Sequence, residues 1–77
     1  MKRKYYADIF GYEATIYYEV KNGNIVNPHL QSKEIDINQL IFSCISVDPD
    51  MTMLHFVEEM ANIAAYAYEN KIDQEDN

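Results

Sequence analysis

Apolar residues alternate with polar ones along the first third of the chain. In KYYADIF the odd positions Tyr5, Ala7 and Ile9 share a face, and in EATIYYEVK the even positions Ala14, Ile16, Tyr18 and Val20 share one. Alternation of this kind predicts two half-buried strands. Gly11–Tyr12 lies between them, and glycine at the first loop position suits a two-residue type II′ turn. That turn pairs 10 with 13, 9 with 14, 7 with 16 and 5 with 18, which brings both apolar sets to one face. The other face then sets Tyr6 across from Tyr17, Lys4 across from Glu19 and Asp8 across from Thr15, an aromatic pair beside an opposite-charge pair.

Asn22–Gly23 is the strongest turn signal in the chain and predicts a second hairpin with Val20 opposite Ile25. The third strand is expected to be short and at an edge, because Pro28 cannot donate to a ladder. The spacing then changes to that of a helix. In DINQLIFSCIS, Ile37, Leu40, Ile41, Cys44 and Ile45 fall on one helical face, with Asp36 or Asn38 as N-cap. The β-branched residues also permit a strand over 37–46. VDPDMT is a break, with Asp48, Asp50 and Thr52 as candidate caps and Pro49 suited to a first turn.

TMLHFVEEMANIAAYAYENK reads as the longest helix. Met53, Phe56, Val57, Met60, Ile63, Ala64 and Ala67 form its apolar stripe, and His55, Glu58, Glu59, Asn62, Tyr66 and Glu69 lie away from it. Tyr68 comes four residues after Ala64, nearer the buried edge. The expected fold class is α+β: a small antiparallel sheet of three to four strands in βββαα order, with two helices packed on one face. One domain spans 1–72, and 73–77 is expected to be a frayed, disordered acidic tail.

Charge changes this picture. The chain of 77 residues has a net charge of −7. Residues 1–33 hold five of the six cations and three acids, whereas residues 34–77 hold ten acids and one lysine. Direct nucleic-acid binding by the second half is disfavoured. An acidic surface attracts basic partners instead, and it also keeps a small protein soluble. So short a chain buries a limited fraction of its surface, and self-association can add to it. The single cysteine rules out an internal disulfide and fits a reducing compartment, so a cytoplasmic location is expected. Asp8 and Gly11 interrupt the N-terminal apolar run too early for a signal peptide. No run of 18 apolar residues indicates a membrane span.

The chemical inventory is thin. Cys44 lies on an apolar stripe and reads as core. His29 and His55 with one cysteine lack zinc spacing. Asp48-Pro-Asp50 lacks the glycine and distal glutamate of a calcium loop. Glu58 and Glu59 are adjacent and diverge on a helix, so they form no acid–base dyad. Both glycines serve turns, leaving none for a phosphate loop. No catalytic residue, cofactor or metal site is expected, and an enzyme or small-molecule binder ranks last.

Tyrosine is what stands out, with seven in the chain. Tyr5 and Tyr18 fall on the core face, Tyr6 and Tyr17 on the outer sheet face, Tyr12 at a turn and Tyr66 among acids. Exposed tyrosine is a favoured interface anchor. The expected partner-binding residues are Tyr6, Tyr17, Glu58, Glu59, Asn62, Tyr66 and Glu69, docking onto a basic protein surface such as that of a nuclease or nucleic-acid-binding complex. In size, acidity and lack of motifs the chain is similar in general profile to phage-encoded inhibitors of host defence, anti-CRISPR proteins among them, and to nuclease-immunity proteins. The profile implies a non-enzymatic inhibitor that mimics nucleic acid. The alternative is a structural or regulatory homo-oligomer, with the sheet face or the helix stripe as a two-fold interface, and the outer sheet face reads equally as partner site or dimer interface.

Overall fold

The fold is seen in a computed structural model that describes residues 1–9, 11–47, 50 and 52–76. Three strands come first, β1 (Lys2–Ile9), β2 (Tyr12–Lys21) and β3 (Asn24–Gln31). Two helices follow, α1 (Ile37–Val47) and α2 (Met53–Glu69), and then a short strand β4 (Gln74–Glu75). The sheet is antiparallel with order β3-β2-β1-β4. This is the expected α+β architecture, with one strand added at the C-terminal end.

The first hairpin turns one residue earlier than expected. Ile9 pairs with Tyr12, so Gly11 is the second loop residue, with φ +81°. Its N–H donates to Asp8 Oδ1 at 2.9 Å. Glycine meets the positive-φ requirement of a second loop position as well as a first one, so its presence could not choose between the two registers. The ladder therefore sets Tyr5 opposite Ile16 and Ala7 opposite Ala14. The slip is two residues along the ladder, so parity and both faces survive. On the outer face the partners change: Tyr6 faces Thr15, Lys4 faces Tyr17, Asp8 faces Glu13 and Lys2 faces Glu19. Tyr12 belongs to β2 and not to the turn.

The second hairpin is as expected. Val20 pairs with Ile25, and Asn22 and Gly23 have φ of 53° and 79°, as a type I′ turn demands. β3 is longer than expected and carries Pro28 at the sheet edge. A register shift between Tyr17 and Glu19 places two β3 residues, Asn27 and Pro28, opposite Tyr18 alone. Asn27 takes φ 53° there. This bulge puts Ile25 and Leu30, which differ in parity, on the same core side.

The core lies between the sheet and both helices. Ala14, Ile16, Tyr18, Val20 and Leu30 meet Leu40 and Cys44 of α1 and Phe56, Met60 and Ala64 of α2. Residues 37–47 are helix, resolving the strand alternative. Asp36 caps α1 by accepting the Asn38 N–H at 2.9 Å. Thr52 caps α2 by accepting the His55 N–H at 3.2 Å, and Asp48 and Pro49 lie outside the described residues. Of the expected α2 stripe, Phe56, Met60, Ala64 and Ala67 are buried and Ile63 is partly buried, but Met53 and Val57 are exposed. Met53 precedes Phe56, the first buried residue of α2, and Val57, between the buried Phe56 and Met60, lies on the flank of the stripe. Among the described residues no helix is long and apolar enough to cross a membrane.

α2 ends in a Schellman motif. The Ile72 N–H donates to the Ala67 carbonyl at 3.0 Å and the Lys71 N–H to the Tyr68 carbonyl at 3.2 Å. Lys71 takes φ 58°, the left-handed position that glycine usually fills. The reversal sends residues 73–75 back along β1. Residues 73–76 are thus not the expected frayed tail. Asp73 is buried, β4 pairs with Arg3 and Lys4, and the Asp76 N–H donates to the Lys2 carbonyl at 3.1 Å.

Candidate interaction surfaces

The structure sorts the expected site residues onto two opposite faces of the molecule. Glu58, Glu59, Asn62, Tyr66 and Glu69 are exposed on the solvent side of α2. At 100° per residue they share one arc with His55, opposite the stripe that meets the sheet. The arc carries three carboxylates along about 17 Å of helix axis, at about 1.5 Å rise per residue. Tyr66 is 61% exposed, and its backbone carbonyl accepts from Asn70 Nδ2 at 2.8 Å. Tyr68, two residues on, packs against the core, as its spacing indicated.

Tyr6 and Tyr17 belong to the outer face of the sheet, away from both helices. The described structure does not bring them together with the α2 acids. The Tyr17 ring stacks on His29, directly across the ladder, with centroids 5.4 Å apart and planes at 17°. Tyr6 is 56% exposed, with Lys4 Nζ 5.7 Å from its ring centroid. Tyr6, Tyr17 and Thr15 floor an open depression of about 520 Å³. Its far wall is the segment after β3. There Ser32 Oγ donates to the Glu13 carbonyl at 2.7 Å, and Glu34 Oε2 accepts the Glu13 N–H at 3.1 Å. Asp8, Glu13 and Glu34 therefore stand together at this end, with Lys33 beside them.

A third polar cluster went unread in the sequence. Arg3 lies on the core side of β1, opposite Tyr18 in the ladder. Its Nε and Nη2 donate to the two Asp73 carboxylate oxygens at 2.8 and 2.7 Å. The Tyr18 hydroxyl donates to the same carboxylate. The Arg3 hydrogen bond holds the Asp73 carboxyl below its usual range against the opposing effect of burial, and the Tyr18 bond adds to it. Burial, reinforced by the hydrogen bond to Asp73, pushes the Tyr18 phenol well up. The triad is closed and fully paired, which makes it a clasp between chain ends. The available signals were Arg3 on an apolar face and a core tyrosine needing an acceptor.

Cys44 is buried in the core and burial pushes its thiol up, which disfavours the reactive thiolate. His55 Nδ1 lies 3.1 Å from the Asp50 carbonyl, as part of the α2 entry turn. Among the described residues no group of three histidine, cysteine or acidic side chains is placed to hold a metal ion. Compared with known protein families, characterised proteins and solved structures, the chain matches none.

Proposed function

We propose that this chain is a small, non-enzymatic, cytoplasmic binding protein that docks the solvent face of α2 onto a basic site of another protein. Basic clefts that bind nucleic acid are the class such a face fits, since its carboxylates would stand where phosphates otherwise lie. In this reading the chain blocks the cleft as an inhibitor. One observation carries the reading: Tyr66, a large anchor, stands 61% exposed within an arc of three glutamates. Long carboxylates around an exposed aromatic combine steering with a buried anchor on docking.

The test is affinity capture from host lysate with wild type and with the Glu58→Lys/Glu59→Lys variant. The captured protein should be lost on charge reversal, released by added duplex DNA, and bound more weakly as salt rises. A captured partner that ignores both reversal and salt would sink the reading.

A further inference from the structure

The outer sheet face carries both signs of charge, and the ladder sorts them to opposite ends. At the end near the first hairpin stand Asp8, Glu13 and Glu34 with Lys33, a local balance of −2. At the other end Lys2, Lys4 and Lys21 stand with Glu19 and with Asp76, which lies across from Lys2, a local balance of +1. Between them lie Tyr6, Thr15 and the Tyr17–His29 stack. This is unlike the chain as a whole, whose net charge of −7 repels a second copy.

We propose that this face is the interface of a homodimer, closed by a two-fold axis that runs across the strands between the two sheets. Such an axis inverts strand direction, so the acidic end of one copy covers the basic end of the other. It brings the two tyrosine-bearing centres together. The depression beside Tyr6 receives side chains from the partner's basic end. A second copy fits this face better than an all-basic or all-acidic partner does, because either of those meets like charge over half of it. Three strands about 4.8 Å apart with a rise of about 3.4 Å per residue offer roughly 400 Å² of flat area. That is below the area of a standard stable interface, so the dimer is weak, with a dissociation constant on the order of 100 µM. It leaves both α2 faces pointing outward, so the pairing is independent of the proposed docking of α2.

Sedimentation equilibrium of the full chain, taken to about ten times that concentration, tests this. Two variants make the face unipolar. Asp8→Asn/Glu13→Lys removes the acidic end while keeping an acceptor for the Gly11 N–H. Lys2→Glu/Lys4→Glu removes the basic end. Wild type should dimerise, each variant alone should be at least tenfold weaker, and an equal mixture of the two should regain wild-type association. Tyr6→Ala, at an exposed site, should also weaken association at least tenfold and supplies a readout if either double variant fails to fold. A wild type that stays monomeric throughout overturns the proposal. So does a dimer that none of these substitutions weakens.

Discussion

The guanidinium of Arg3 and the carboxylate of Asp73, separated by 70 positions in the chain, form a two-pronged ion pair at 2.7 and 2.8 Å. It joins the first strand to the segment after the last helix. The side chain of Asp73 is 1% exposed and that of Arg3 17%. Asp73→Ala strands a nearly buried cation and the Tyr18 hydroxyl. Removing one partner of a buried pair costs about 3 kcal/mol or more, a large share of the stability of so small a domain. Urea denaturation should show a loss of that order. A loss below about 1 kcal/mol would mean that water replaces the carboxylate easily and that the clasp is peripheral.

The same pair sets a pH dependence. Hydrogen bonding to Arg3 depresses the folded-state ionisation of Asp73. The unfolded chain, with aspartate near about 3.9, therefore binds the proton more readily than the folded one. The stability from this group is full above that value and is lost as pH falls through the depressed folded value. Urea midpoints should fall between about pH 5 and pH 2. Asp73→Asn should be less stable at neutral pH and should lose less on acidification. Parallel acid profiles for the two proteins would remove Asp73 from the account.

Lys71 occupies a left-handed backbone position, φ 58°, at the turn after α2. A side chain there is strained, and glycine relieves it at a smaller cost in unfolded-state entropy. Lys71→Gly should therefore stabilise the domain by about 0.5–1 kcal/mol, or roughly 3–6 °C in melting temperature for a domain of this size. A lower melting temperature would show that the lysine side chain makes an interaction worth more than the strain.

The faces of the first hairpin can be tested by a pair of neighbours. Ile16 is fully buried in the core, whereas Thr15 points from the outer face. Ile16→Asp places a charge among apolar side chains and should abolish folding, since its cost is comparable to the whole stability. Thr15→Asp should shift stability by no more than about 1 kcal/mol. Circular dichroism melts that rank the two the other way would invert the sheet.

What could be read in the chain depended on whether its signal was local. Asn22–Gly23 fixed the second hairpin because only a type I′ turn suits that pair at that place. Gly11 suited either loop position, so the first register slipped by two, yet alternation still placed Ile16 and Tyr18 correctly. The bulge at Asn27 and Pro28 had a signal too: Ile25 and Leu30 are an odd number apart and cannot share a face in regular β-structure. Met53 and Val57 fit the helical stripe, yet Met53 precedes its first buried residue and Val57 lies on its flank, and periodicity carries no information on where cover stops. The Asp73 clasp was hidden most completely. Its three residues are far apart in the chain, and the local composition after Ile72 is that of a tail.

Tyr66 was legible as exposed, because Asn62, Glu59 and Glu69 at helical spacing place it off the apolar stripe. At 61% exposure its ring contributes little to folding. If it is only a cover over the neighbouring turn, truncation changes nothing measurable. If it anchors the proposed docking of α2, truncation removes about 2 kcal/mol or more of binding, which is a loss of more than tenfold in affinity. Tyr66→Ala should melt within a few degrees of wild type and bind the captured partner at least ten times more weakly, mainly through faster dissociation. Glu59→Gln, which removes a rim charge beside it, should act chiefly on the association rate and its salt dependence. Equal affinities for wild type and Tyr66→Ala would remove the anchor. A fall in melting temperature of ten degrees or more would place Tyr66 in the packing of the helix and not at its interface.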